Sequence, residues 1–182
     1  FPSPECKKEM SQNREEEEKE CRKKAFEEVY ASYNKSKKEA EEISNELINE
    51  YNVKSIILKG DVSNKDDCSL IVQESIATFG NLDILVNNAG IIDDNLLIRM
   101  SDEAWDRVLR TNLDSIFYCS KPAIKSMLKR KWGRILNCSS IGVKFGGGKN
   151  SYNYSLAKHC LEFIPNSYKS WAKKNVFINN LR

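Results

Sequence analysis

From Val29 onward, short apolar runs alternate with longer stretches whose apolar positions recur at helical spacing. Side chains repeat about every 2 residues along a strand and about every 3.6 along a helix, so the runs read as strands and the stretches as amphipathic helices. The pattern predicts strands over 29–33, 53–58, 82–87, 134–138 and 175–179, with helices over 36–50, 65–79, 101–130 and 154–174. Strands that alternate with helices predict an α/β fold on a parallel sheet, because parallel neighbours need a crossover connection. Asn64 and Ser101 are placed to cap the helices that follow them, with Asp66, Asp67, Asp102 and Glu103 near the positive end of each helix dipole. Gly80 and Gly133 are expected to stop helices just before strands. Pro165 is expected to kink or break the last helix, since it lacks a donor and clashes with the preceding turn.

Residues 1–28 differ from the rest. They are dense in Lys and Glu, as in Arg14-Glu15-Glu16-Glu17-Glu18-Lys19-Glu20, and lack an apolar run, so we expect a solvated helix or a disordered arm there, ahead of a domain over 29–182. A chain of 182 residues, 40% hydrophobic, suits one domain with a core of its own. A net charge of +3, with no basic stripe interleaved with aromatics, argues against nucleic acid as a partner. No apolar run approaches the roughly 18 residues of a membrane helix, so no membrane association is expected. Cys6, Cys21, Cys68, Cys119, Cys138 and Cys160 include no C-x-x-C pair, which points to free thiols in a reducing intracellular compartment and to no metal site. Phe1 at the start leads us to expect a processed, truncated or fragmentary chain, so cytoplasm, plastid and mitochondrion are not distinguished.

Candidate chemistry gathers where predicted strands end. The run Leu82-Asp83-Ile84-Leu85-Val86-Asn87-Asn88-Ala89-Gly90 is an apolar strand closing in a small polar turn, and open parallel sheets bind ligands beyond such carboxyl ends. Read alone, it equally fits a plain strand-ending turn. Asn112 follows within the next helix, Ser139-Ser140 end the next strand, and Tyr154 and Lys158 begin the helix after that. A Tyr and a Lys four apart share a helix face, so an ammonium beside the phenol would stabilise its anion and prepare it for proton transfer. By itself the pair also fits an amphipathic helix with an exposed Lys. Gly146-Gly147-Gly148 lacks the Gly-Lys-Ser/Thr of a phosphate loop and reads as a flexible substrate-side loop.

Taken together, these stretches, with Asp61-Val62, Arg110-Thr111-Asn112 and Gly133-Arg134-Ile135, resemble the short-chain dehydrogenase/reductase family, closest to its 3-oxoacyl-acyl-carrier-protein reductases, over about 29–182. The resemblance implies a Rossmann-like, doubly wound parallel sheet. It also implies NADPH-dependent reduction of a 3-oxoacyl thioester, bound to acyl carrier protein or to coenzyme A, to the 3-hydroxyacyl thioester in fatty acid synthesis. It makes Tyr154 the acid that protonates the carbonyl oxygen, Ser140 the donor that holds this oxygen, Lys158 the partner of Tyr154 and of the nicotinamide ribose, and Asn112 the link to a water relay. Asp61 and Val62 correspond to positions against the adenine, and Asn88, Ala89 and Gly90 to the turn along the cofactor. Lys35, in Tyr33-Asn34-Lys35-Ser36, would meet a 2′-phosphate and favour NADPH, although a charged turn opening a helix explains it nearly as well. Basic residues at Lys129-Arg130-Lys131 and Lys173-Lys174 occupy places where the family contacts its acidic carrier protein. The helices over 101–130 and 154–174 imply a homo-oligomer.

The pattern departs from the family at both ends. No glycine occurs before Gly60, so the glycine-rich turn that cradles cofactor phosphates and the first strand before it are expected to be missing, as is the last strand. We therefore expect weak NADPH binding and doubtful activity in this chain. The alternative is a non-catalytic relative or truncated product acting by association with an intact reductase. The stretch from Ser140 to Tyr154 is slightly long for the family, which leaves open whether Ser139 or Ser140 faces the substrate.

Overall fold

A computed structural model describes residues 28–182; the charged segment expected over 1–28 lies outside them, apart from Glu28, which opens the first strand. The chain divides into two compact units, with the boundary between Lys59 and Gly60.

The described part of the first unit is β1 (Glu28–Tyr33), α1 (Lys37–Tyr51) and β2 (Lys54–Lys59). The strands pair in parallel, from Glu28 opposite Lys54 to Tyr33 opposite Lys59. A Lys54–Glu28 ion pair at 3.0 Å closes the amino-terminal end of the ladder, and Ser44 donates to Ser55 at 2.9 Å to tie α1 to β2. The helix stops because Asn52 turns left-handed at φ 53°, and its N–H returns to the Leu47 carbonyl.

In the second unit α2 (Lys65–Phe79) leads to β3 (Ile84–Asn87), then a 3-10 turn (Leu97–Arg99), α3 (Asp102–Leu109), a π turn (Arg110–Asp114) and α4 (Ser115–Arg130). β4 (Gly133–Cys138), a second 3-10 turn (Ile141–Phe145), α5 (Tyr152–Cys160), α6 (Tyr168–Ala172) and β5 (Val176–Leu181) complete it. All strands of this sheet run parallel in the order β3-β4-β5. Among the described residues, then, the parallel strands form two sheets, and no strand joins β1 to β3 as a continuous doubly wound sheet would require. Cys68 and Val72 of α2, Cys119, Ala123 and Met127 of α4, and Ile135 and Val176 of the sheet form the buried core. Full burial of a Val, Ile or Met side chain contributes roughly 1.5–3 kcal/mol.

The predicted caps form: the Asn64 side chain accepts from the N–H groups of Asp66 and Asp67, and Ser101 accepts from Ala104. Gly80 is the left-handed stop of α2 at φ 79°. Gly133 acts differently from expectation, because Lys131 takes the left-handed position at φ 58° and ends α4. Gly133 opens β4 with Met127 packed directly on its Cα, where a Cβ would overlap that side chain. The stretch expected as one helix over 101–130 is interrupted by the π turn, and the stretch over 154–174 is broken around Pro165 into α5 and α6. No described helix is long and apolar enough to cross a membrane.

Candidate active site

The carboxyl end of β4 and the turn after β3 both meet α5 at Lys158. Beyond β3, Asn88, Ala89 and Gly90 form an exposed turn. Gly90 faces two buried polar groups: a Cβ built there would lie 3.4 Å from Lys158 Nζ and 3.5 Å from Asn112 Oδ1. The turn is thus small because its backbone approaches both side chains closely.

Asn112 is 0% exposed and sits in the π turn, where an additional residue per turn re-aims a side chain, a feature frequent at functional sites. Its Oδ1 accepts the Ile91 N–H at 2.7 Å and its Nδ2 donates to the Ile91 carbonyl at 2.9 Å, which fixes the start of the segment leaving the turn.

Lys158 is 4% exposed and donates from Nζ to the Cys138 carbonyl at the end of β4, at 2.7 Å. The same ammonium lies over the Tyr154 ring, 5.9 Å from its centroid. Burial holds the Lys158 pKa below the usual lysine range, since desolvation penalises the charged form. The Tyr154 hydroxyl makes no hydrogen bond among the described residues, which leaves it available to an incoming group.

The two serines separate cleanly. Ser139 donates to the Lys158 carbonyl at 3.1 Å and so braces α5, whereas Ser140 begins the turn after β4 and accepts the Gly142 N–H at 3.2 Å, keeping its own proton free to donate. Farther back on the same sheet, Asn87 donates to Asn137 at 2.9 Å and to Ser120 at 3.2 Å, and Asn137 donates to Asn180 at 3.1 Å. This amide ladder crosses β3, β4 and β5 in register and aligns the strand ends under the site.

The fold brings Gly90, Asn112, Tyr154 and Lys158 together as neighbours, with Ser140 on the adjoining turn. Asp61 and Val62 make local hydrogen bonds. The Asp61 carboxylate accepts from Ser63 N–H and Oγ at 2.9 and 2.7 Å, and the Val62 carbonyl accepts the Cys68 thiol at 3.1 Å. Lys35 belongs to the first unit, on the exposed turn between β1 and α1. His159 is exposed. Sequence reasoning overlooked Asn153, a wholly buried amide beside Tyr154, because a polar residue at a helix start carries no mark of burial.

Comparison with known proteins gives the class. A family model described as short chain dehydrogenase matches residues 19–182. The chain belongs to the short chain dehydrogenase family. It is 39% identical over 130 residues to the 3-oxoacyl-acyl-carrier-protein reductase of Staphylococcus aureus (strain Mu50), covering 71% of this chain and 52% of that protein. It is 36% identical over 141 residues to the corresponding reductase of Aquifex aeolicus, covering 77% and 56%. For that of Haemophilus influenzae the figures are 39% over 119 residues, 65% and 49%. The chain thus spans about half the length of the curated relatives it matches.

Proposed function

We propose that this chain carries the reducing site of an NADPH-dependent 3-oxoacyl-thioester reductase. The observation that carries this reading is the buried Lys158 ammonium, held over the Tyr154 ring and close to Gly90, which Asn112 also approaches, at the carboxyl ends of β3 and β4. A buried cation is kept charged only where other groups use it, and among the described residues one acceptor, the Cys138 carbonyl, is engaged, which leaves ammonium protons for ligand hydroxyls. The donor set therefore fits the ribose end of a nicotinamide cofactor, with Lys158 and Tyr154 holding the ribose and Asn88, Ala89 and Gly90 lining its path. Asp61 and Val62 would take the adenine.

Bound there, the cofactor supplies a hydride to the 3-oxo carbon. The carbonyl oxygen, held by the Ser140 hydroxyl, then takes the Tyr154 proton, so the C=O becomes CH–OH. Lys158 stabilises the resulting phenolate, and Asn112 orders the segment through which solvent returns the proton. The acyl group arrives on acyl carrier protein or coenzyme A, and the exposed Lys129, Lys173 and Lys174 provide charge for an acidic carrier. Phe117 on α4, 61% exposed, and Tyr152 on α5, 51% exposed, support a homo-oligomer through these helices.

Incubation of the full chain with acetoacetyl thioester and excess NADPH tests the reading. We expect the 3-hydroxy product by mass spectrometry, at an NADPH concentration raised to offset weak binding of the phosphates. Unchanged thioester at every NADPH concentration would overturn the enzyme reading and favour a non-catalytic chain that associates with an intact reductase.

A further inference from the structure

The segment over 91–95 leaves the Asn88-Ala89-Gly90 turn and is gripped at two points by buried amides. Asn112 holds Ile91 through both of its backbone groups. Asn153, 0% exposed, donates from Nδ2 to the Asp93 carbonyl at 3.1 Å and accepts the Tyr154 N–H on Oδ1 at 2.8 Å. The seam continues as the Asn95 N–H donates to the Asn150 carbonyl at 2.8 Å, beside a parallel bridge between Asn95 and Ser151.

An amide at a helix start needs only an acceptor for a free N–H, and a surface position would serve. Asn153 also places its donor on a carbonyl 60 positions earlier in the chain, inside the protein, where an unbonded amide would be strongly unfavourable. That second bond does nothing for the helix. It sets the distance between the segment that leaves the turn and the backbone of Tyr154 itself.

We propose that Asn153 is a positioning residue that locks the segment over 91–95 to the first turn of α5, so that the Gly90 turn and the Tyr154 hydroxyl keep one relative placement. The proposal rests on the reading of Tyr154 as the proton donor and of the turn as the cofactor side. Reacting groups displaced by about 1 Å lose on the order of a hundredfold in rate, so a clamp here acts on turnover rather than on affinity.

Hydrogen exchange by mass spectrometry on the full chain, without cofactor, compares the parent with Asn153→Asp, which keeps the acceptor but loses the donor, and with Asn153→Ala, which loses both. The Ile91 and Asn95 amides are expected to exchange roughly tenfold faster in Asn153→Asp, with α2 unchanged as the internal control, and the first turn of α5 follows in Asn153→Ala. Unchanged exchange over 91–95, or faster exchange everywhere including α2, overturns the clamp. In thioester reduction, Asn153→Asp is expected to lose roughly tenfold to a hundredfold in kcat at an unchanged thioester KM; a parental kcat overturns the positioning role. If the parent shows no thioester-dependent turnover at all, the functional reading fails, while the exchange result still decides the clamp.

Discussion

At the scale of single residues, burial of polar groups is what distinguishes this site. Lys158 has a lowered pKa in the folded chain because of desolvation, so the folded state binds its proton less tightly than the unfolded state does. Between the two pKa values the unfolded state holds more protons, and stability therefore rises with pH as that window is crossed, ending near the usual lysine value of about 10.4. The stability of the parent minus that of Lys158→Met, from urea unfolding, should climb through the alkaline range; a difference that stays level up to that value would show that Lys158 is not desolvated. The thiols make a second residue-level prediction. A hydrogen bond with Cys119, together with burial, pushes the Cys68 thiol far up, so it should resist iodoacetamide in the native chain, whereas the exposed Cys160 should label first among the cysteines of the described residues. Peptide mapping showing Cys68 labelled as fast as Cys160 would refute this. The shared helix face of Tyr154 and Lys158 was legible because it depends only on helical spacing. The Cys138 carbonyl that receives Lys158, and the Asp93 carbonyl that receives Asn153, were not, because those contacts arise from chain brought together by folding.

At the scale of elements, local rules held where the local chain decides the outcome. The caps at Asn64 and Ser101 and the break at Pro165 follow from side chains acting on their own neighbours. The π turn at Arg110–Asp114 carries no such mark: it forms where Asn112 reaches Ile91, and hydrophobic spacing reads straight through it as one helix. Gly133 was misread for a related reason. Its smallness is demanded by Met127 packing from α4, not by a left-handed backbone. Gly133→Ala should therefore destabilise the chain by about 1–3 kcal/mol through overpacking of the core. A thermal midpoint equal to that of the parent would mean that Met127 can move aside.

At the scale of the whole molecule, the parallel α/β alternation was legible from strand and helix periods. On the proposed reading, the ribose end of the cofactor is held around Lys158. The central claim is that Tyr154 delivers the proton to a 3-oxoacyl thioester, and the most direct measurement is kcat for NADPH-dependent acetoacetyl-thioester reduction by the full chain and by Tyr154→Phe. The account predicts thioester-dependent turnover in the parent and a loss on the order of a hundredfold or more in Tyr154→Phe, with NADPH affinity largely retained. Turnover in Tyr154→Phe equal to that of the parent would contradict it.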